Sequence, residues 1–127
     1  MTERLSQARA FLLDMDGTFY LDEHLLDGAL KFIDRLRAQA KDFLFLTNNS
    51  SKSRGQYAEK ITRLGLPILE DKVLTSGEAT VRYLLSHRAE RRLYVVGTPS
   101  LEDEFRSQGF CSTINCRRWR CLASIQR

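Results

Sequence analysis

Two carboxylates near the start of the sequence, Asp14 and Asp16, have a spacing that suits the chemistry of phosphate groups. They follow an apolar run, and residues two apart at the end of a strand project toward the same side. Gly17 allows a sharp turn, so that Asp16 can fold back toward Asp14. Such a pair suits Mg²⁺, which binds one or two carboxylates together with a phosphate. One carboxylate could attack phosphorus, and the other could protonate the leaving oxygen and then activate water.

A second polar cluster, Thr47 and Asn48 with the residues after them, follows another apolar run. The Thr47 hydroxyl and the backbone amides beyond it could bind phosphate oxygens. In open parallel sheets, ligands bind beyond the carboxyl ends of the strands, so both clusters are expected in one crevice. Two simpler interpretations stay open: a plain Asp-Gly turn at Asp16, and polar residues near Thr47 that cap the next helix.

The elements around these clusters alternate between strands and helices. Continuous apolar runs predict buried strands, and apolar residues at helical spacing between them predict helices. The predicted strands are 11–13, 43–46, 73–74 and 93–96, and the predicted helices are 28–40, 53–64, 76–87 and 101–108. This order predicts an α/β fold in which helices cover both faces of a parallel sheet.

Together these motifs resemble the haloacid dehalogenase superfamily of aspartate-nucleophile phosphatases, subfamily IIA, in its NagD-like and p-nitrophenylphosphatase-like branch. Four segments carry the resemblance in the family's order: residues 11–18, 46–53, 75–80 and 96–101. The first motif alone is moderately specific, whereas the ordered set is highly specific. The resemblance covers about residues 10–110 and implies an α/β fold with a Rossmann-like parallel sheet, flanking helices and a partial α/β cap.

This resemblance implies a Mg²⁺-dependent phosphatase that hydrolyses small phosphate esters through an aspartyl-phosphate intermediate. Asp14 would be the nucleophile and a metal ligand, and Asp16 would be the general acid/base and offer its main-chain carbonyl to the metal. Thr47 and Asn48 would bind the transferred phosphoryl group. The expected cofactor is Mg²⁺, and the expected partner is a small phosphorylated metabolite. Residues 22 and 23 would lie in a small flap after the first motif.

The resemblance also divides the chain. Residues 1–74 are expected to form the N-terminal part of the core, residues 75–110 the start of an inserted cap domain, and residues 111–127 a basic tail. Family members continue beyond this length and contribute a phosphate-binding lysine and a Gly-Asp-rich acidic segment. Neither can be assigned in this sequence. The sequence therefore predicts a C-terminally truncated chain with impaired activity.

The tail holds the whole net charge of the chain. Residues 1–110 contain 16 Lys/Arg and 16 Asp/Glu, and the last 17 residues contain four arginines, no acid, all three cysteines and the only tryptophan. A disordered or out-of-frame segment is the favoured interpretation, ahead of a flexible basic arm that binds nucleic acid. Zinc is disfavoured because three cysteines do not supply four ligands. Nucleic acid is therefore not an expected partner, and the alternative function is a non-catalytic fragment or a binding module with a basic tail.

The sequence also bears on location and assembly. No apolar run reaches the roughly 18 residues of a membrane span, and the N-terminus lacks the cleavage site of a signal peptide. No membrane partner is expected. A body without cysteine favours the cytoplasm. If the fold is incomplete, self-association through exposed core strands is expected.

Overall fold

The computed structural model of this chain describes residues 6–112. Within that range the chain forms two compact units. The first contains residues 6–48 and 54–75, and the second contains residues 49–53 and 76–112. Each unit has its own cluster of buried apolar side chains, so each is described by itself.

The first unit is built around a three-stranded parallel sheet with the strand order β1-β4-β5. Its strands are β1 (Ala10–Asp14), β2 (Tyr20–Leu21), β3 (His24–Leu25), β4 (Asp42–Thr47) and β5 (Val73–Thr75), and its helices are α1 (Ala29–Ala38), α2 (Arg54–Arg63) and a 3₁₀ turn (Glu70–Lys72). The ladders place Leu12 opposite Leu44, and Leu46 opposite Leu74. Helices that alternate with parallel strands confirm the predicted α/β fold class.

Side chains on one face of this sheet form the core of the first unit. Alternate residues of a strand project to opposite faces. The inner face and the helix residues that cover it comprise Phe11, Leu13, Phe43, Phe45 and Val73 from the strands, Ile33 and Leu36 from α1, and Tyr57 and Ile61 from α2. Both helices therefore cover the same face. Right-handed crossovers that step in one direction across a sheet place their helices on one side.

The opposite face of the sheet carries Leu12, Leu44, Leu46 and Leu74, and we call it the open face. None of the four belongs to the buried cluster of the first unit. Leu12 is 68% exposed, and the other three are half-buried. The apolar strands predict helices on both faces, but α1 and α2 cover only the inner face because both crossovers run in one direction.

Glycines set several boundaries in the first unit. α1 begins at Ala29, one residue after its predicted start, because Gly28 has a φ of 84° and lies outside the helix in the left-handed region. α2 ends at Arg63, and Gly65 follows with a φ of 107° and an N–H that donates to the Thr62 carbonyl at 3.0 Å. Between β1 and α1, β2 and β3 form a hairpin that the apolar pattern does not predict.

The second unit contains two helices and a two-stranded parallel sheet. Its elements are α3 (Ser76–His87), β6 (Arg92–Leu93), α4 (Pro99–Ser107) and β7 (Cys111–Ser112). Its core comprises buried Val81, Phe105 and Phe110, with partly buried Leu84, Leu93, Val95 and Leu101 packed against them. Apolar residues of both helices and of the segment around β6 thus share one cluster.

Two predicted elements of the second unit have different bounds in the structure. The strand predicted over 93–96 is found at Arg92–Leu93, where it pairs with β7. The helix predicted to begin at residue 101 begins at Pro99 instead. The Thr98 hydroxyl accepts a hydrogen bond from the Leu101 N–H at 3.3 Å, and a proline at the first helical position has the required φ.

None of the α-helices within residues 6–112 is long and apolar enough to cross a membrane. The prediction of a cytoplasmic protein stays a prediction. Of the predicted tail, residues 111–127, the structure describes only residues 111 and 112. The interpretation of the tail as disordered or out of frame falls on residues 113–127, which lie outside the described residues.

Candidate active site

Asp14 is the last residue of β1 and is exposed at the carboxyl end of the parallel sheet. Its neighbour across the ladder is Leu46 of β4, so Thr47 follows immediately beyond that pair. The Thr18 hydroxyl donates a hydrogen bond to Asp14 Oδ2 at 3.1 Å and thereby orients the carboxylate. Asp14 thus lies at the edge where parallel sheets bind ligands.

Backbone hydrogen bonds hold the turn that follows β1. The carbonyl of Met15 accepts the N–H groups of Thr18, Phe19 and Tyr20 at 3.2, 2.9 and 3.2 Å. Gly17 has a φ of 76°, and its N–H donates to the Tyr20 carbonyl at 2.8 Å. Because positive φ suits glycine, the residue type at position 17 explains how the chain turns back here.

The same turn separates buried side chains from exposed ones. Met15 is fully buried in the core of the first unit, whereas Asp14 and Asp16 on either side of it are exposed. This alternation agrees with the i, i+2 spacing in the sequence, because the apolar residue anchors the loop while both carboxylates face solvent. Both carboxylates are therefore accessible to a cation from solvent.

Thr47 ends β4 and is buried, with 7% of its surface exposed. Its ladder partner is Thr75 at the end of β5, which is 1% exposed. Asn48 follows Thr47 and is exposed. All four sequence-predicted site residues therefore lie at or directly after the carboxyl ends of β1 and β4, two adjacent strands of the same unit. Thr75 is a further polar residue at this edge. In the sequence it could be recognised because it directly follows a short apolar run.

A polar cluster of Tyr20, Lys60 and Glu23 lies beside the turn, and no pattern in the sequence indicates it. Lys60 Nζ is 4.2 Å from the centre of the Tyr20 ring and 3.5 Å from Glu23 Oε1. Lys60 is only 8% exposed, because its aliphatic chain packs inward while the ammonium reaches a ring face and a carboxylate. Burial and, after it, the negative charge of Asp16 raise the pKa of the Tyr20 hydroxyl. Tyr20 therefore stays neutral at physiological pH.

Residues 11–111 match the family described as haloacid dehalogenase-like hydrolase. The matched segment runs from β1 into β7 and includes both exposed carboxylates and the polar end of β4. The chain belongs to this family. The family resemblance that the ordered motifs indicate is thereby confirmed.

The chain is similar to proteins named as phosphatases from a plant and from a bacterium. Phosphoglycolate phosphatase 2 of Arabidopsis thaliana is 38% identical over 103 residues, which cover 79% of this chain and 34% of the plant protein. A 4-nitrophenylphosphatase from Thermotoga maritima matches with a TM-score of 0.81 at 41% identity, covering 84% of this chain and 41% of that one. The chain is therefore similar in sequence and in fold to proteins that carry phosphatase names.

Two further solved structures bear on the branch of the family and on metal binding. NagD from Escherichia coli K-12 matches with a TM-score of 0.75 at 25% identity, over 84% of this chain and 42% of that one. Glycerol phosphate phosphatase from Mycobacterium tuberculosis, solved in complex with magnesium, matches with a TM-score of 0.73 at 28% identity. The match covers 84% of this chain and 32% of that one. The chain spans about a third to two fifths of the length of these relatives. The NagD-like and nitrophenylphosphatase-like resemblance is confirmed.

The oxygen donors at the end of β1 fit a magnesium ion. Asp14 and Asp16 are exposed carboxylates, and Mg²⁺ usually takes one or two carboxylates while waters and substrate phosphate complete its shell. Within residues 6–112, no group of three or more His, Cys, Asp or Glu side chains is placed to hold a metal ion. Among the described residues, a magnesium ion at this edge would have the oxygens of Asp14 and Asp16 beside it.

Replacing Gly17 by Ala tests the backbone requirement of the turn. A Cβ at this position would meet no atom within 4 Å, so the substitution introduces no clash. The φ of 76° alone disfavours alanine, by about 1 kcal/mol or somewhat more. We expect urea unfolding to show that the free energy of unfolding falls by this amount in Gly17→Ala. It should fall less in Gly17→Asn, since asparagine tolerates the left-handed region better than alanine does. Equal losses for the two variants would contradict a conformational cause.

Proposed function

We propose that this chain carries the nucleophile half of a magnesium-dependent phosphatase that acts on small phosphate esters. One observation supports this above all others. The exposed carboxylates of Asp14 and Asp16 stand at the end of β1, directly beside the polar end of β4 with Thr47 and Asn48. In these proposed roles, Asp14 as nucleophile, Asp16 as proton carrier and the end of β4 as phosphate-binding group would act at one edge of the sheet. The phosphatase names of the relatives agree with it.

In the first step, a carboxylate oxygen of Asp14 attacks phosphorus, and the bond between phosphorus and the ester oxygen breaks. Asp16 gives a proton to the departing alcohol, and the phosphoryl group is left on Asp14 as an acyl phosphate. In the second step, Asp16 takes a proton from a water molecule whose oxygen attacks phosphorus. The bond between Asp14 and phosphorus breaks, inorganic phosphate leaves, and Asp14 is again a carboxylate. The hydrogen bond from Thr18 to Asp14 Oδ2, 3.1 Å long, restrains the nucleophile during both steps.

The other groups bind and neutralise the phosphoryl oxygens. The Thr47 hydroxyl and the Asn48 side chain are proposed to donate hydrogen bonds to these oxygens. Asp14 and the main-chain carbonyl of Asp16 would hold the magnesium ion, which would supply positive charge against the negative charge on the phosphoryl oxygens. Because Thr47 is almost fully buried, its hydrogen bonds would form away from bulk water and be correspondingly strong.

We also propose that residues 75–110 correspond to the start of a cap domain and residues 1–74 to the N-terminal part of a core. The 17 residues after Phe110 contain no lysine and no acid. Within this sequence, therefore, no lysine or acidic segment can be assigned to the later part of the family's site. Loss of charge-stabilising partners typically costs about 10²–10³ in rate for each group. We expect residues 1–127 by themselves to be weakly active or inactive.

A chimaera tests this function. Residues 11–111 of this chain would replace the matched segment in the 4-nitrophenylphosphatase of Thermotoga maritima, which supplies the rest of a complete family member. The chimaera is expected to hydrolyse 4-nitrophenyl phosphate in the presence of Mg²⁺, at least about 10²-fold faster than the chain alone. A folded chimaera without turnover would overturn the proposed function. Turnover by the chain alone at the chimaera's rate would overturn the proposed impairment.

A further inference from the structure

We propose that a cleft at the amino ends of β4 and β5 is a second binding site, for a small organic anion with an aromatic body and a single negative charge. We call it the basic cleft. Its volume is about 510 Å³, within the roughly 300–1,000 Å³ typical of sites for small ligands. All its lining residues belong to the first unit; the apolar ones include Phe43, Ile68 and Leu69, and the basic ones are Arg37, Lys41 and Lys72. The site goes beyond the proposed function and does not depend on it.

The basic cleft lies at the end of the sheet opposite the candidate active site. Phe43 is the second residue of β4 and Lys72 directly precedes β5, whereas Thr47 ends β4. At about 3.3 Å per residue along a strand, the backbone of Phe43 is about 13 Å from that of Thr47. A molecule in the basic cleft therefore leaves the carboxyl ends of the strands accessible.

Apolar side chains of the cleft give an aromatic ring a surface to pack on. Phe43 is buried, Ile68 is half-buried, and Leu69 is 75% exposed. Leu69 lies in the loop between α2 and the 3₁₀ turn. A ligand that covers Leu69 removes apolar surface from water, which is favourable. The cleft therefore favours a ligand with an apolar ring over a purely polar one.

Arg37 is the group that we expect to bind the anion. Its guanidinium carbon is 5.9 Å from the centre of the Phe43 ring, and within residues 6–112 it pairs with no carboxylate. A ring face does not neutralise the guanidinium charge, so Arg37 can still pair with an anion. The guanidinium group has five N–H donors in a planar fork that matches the two oxygens of a carboxylate.

Two of the other charged groups of the cleft neutralise each other. Lys72 Nζ donates a hydrogen bond to Asp42 Oδ1 at 2.6 Å, and the Phe43 N–H donates to the same oxygen at 2.8 Å. These hydrogen bonds, that of Lys72 foremost, lower the pKa of the Asp42 carboxyl, which is therefore ionised at neutral pH. The ion pair of Asp42 and Lys72 adds no net charge to the cleft.

The remaining charges determine what charge the ligand should carry. Lys41 donates a hydrogen bond to the Ser6 carbonyl at 2.9 Å, a neutral partner that leaves the ammonium charged. Asp71 also lines the cleft and offsets one of the two charges of Arg37 and Lys41. One positive charge is left over. A carboxylate with a single negative charge complements it, whereas a cation would be repelled.

The experiment titrates 3-phenylpropionate into the isotope-labelled 127-residue chain and follows the amide chemical shifts by NMR. We expect saturable shifts at Phe43, Leu69 and Lys72, with a Kd of about 1 mM, ordinary for a ligand of this size. Three related compounds should each bind at least about tenfold more weakly. They are 3-phenylpropanol, which lacks the charge, acetate, which lacks the ring, and 3-phenylpropylammonium, which has the opposite charge.

Matched variants locate the anchor. Arg37→Gln should weaken binding of 3-phenylpropionate about tenfold, because it removes a charge-assisted hydrogen bond. Arg35→Gln is the control: it makes the same change in the same last turn of α1, and Arg35 is exposed and does not line the cleft. It should leave the Kd within about twofold. Circular dichroism verifies that both variants are folded.

The apolar contribution has its own variant. Leu69→Ala should weaken binding about threefold or more, because less apolar surface is covered by the ring. The chimaera carries all the residues of the basic cleft, since they lie within residues 11–111. It is titrated in parallel, so that the result does not depend on the stability of the 127-residue chain by itself.

Several results would overturn the second site. They are the absence of saturable binding to either protein, equal binding of 3-phenylpropanol or 3-phenylpropylammonium, and equal losses in Arg37→Gln and Arg35→Gln. Shifts at Asp14 and Thr47 in place of those in the cleft would locate the carboxylate at the candidate active site and overturn it as well. A chimaera that binds 3-phenylpropionate in the cleft but does not hydrolyse 4-nitrophenyl phosphate would count against the proposed function alone.

Discussion

Replacing Asp14 by Asn in the chimaera should lower kcat for 4-nitrophenyl phosphate by about 10³-fold or more, because the amide cannot attack phosphorus. The side chain is exposed and its size is conserved, so the fold should be retained. Initial rates with Mg²⁺ in excess measure the effect, and thermal unfolding verifies the fold. Asparagine also binds a cation more weakly than aspartate does, which adds to the loss.

Asp34→Asn is the matched control for this variant. Asp34 is exposed and lies on α1, and none of the proposed steps uses it. The same change from carboxylate to amide at Asp34 should leave kcat within about twofold of the unmodified chimaera, since surface substitutions usually have small effects. Comparable losses at Asp14 and Asp34 would remove the basis for a nucleophile at the end of β1.

Phe45→Ala should destabilise the first unit by about 3–5 kcal/mol, the range typical of buried phenylalanines. Phe45 is fully buried at the centre of the sheet. Its ring centre is 4.7 Å from that of Phe19 and 5.6 Å from that of Phe43, in edge-to-face arrangements. Urea unfolding followed by circular dichroism measures the change in the free energy of unfolding.

The control for this core variant is Leu69→Ala. Leu69 is 75% exposed, and its truncation should cost less than about 0.5 kcal/mol. A loss below about 1 kcal/mol for Phe45→Ala would show that the site collapses around the deleted ring or that Phe45 packs less closely than described. Because Phe19 belongs to the turn after β1, the loss should also be visible as faster hydrogen exchange in that turn.

Local patterns were sufficient to predict the elements that hold the candidate site. Continuous apolar runs indicate β1 and β4, and two carboxylates followed by a glycine indicate the turn. The predicted carboxyl ends of β1 and β4 lie within one residue of the observed ends, because each apolar run stops at a polar residue. Thr47 and Asn48 could be placed beside Asp14 from the general behaviour of parallel sheets alone. Their chemical roles stay predictions.

Other features depend on tertiary packing and could not be predicted from the sequence. A lysine in the middle of a helix is ordinarily exposed, so nothing in the pattern distinguishes Lys60 until the Tyr20 ring is placed against it. The strand predicted over 93–96 is observed at Arg92–Leu93, since strand bounds depend on pairing with another strand, which periodicity does not report. Both helices of the first unit lie on one face of the sheet because the connections from β1 to β4 and from β4 to β5 step in the same direction. Local sequence does not encode that direction.

Asp14 ends β1, which within residues 6–112 pairs with β4 alone, and this has a consequence for the timescale of its motions. Terminal pairs of an edge strand open at a small fraction of the free energy of global unfolding, so they fray often. Each such opening would carry the carboxylate of Asp14 away from Thr47, although the rest of the fold stays intact. The time that Asp14 spends beside Thr47 is therefore governed by the local opening equilibrium of β1, and closing the edge with another strand would lengthen it.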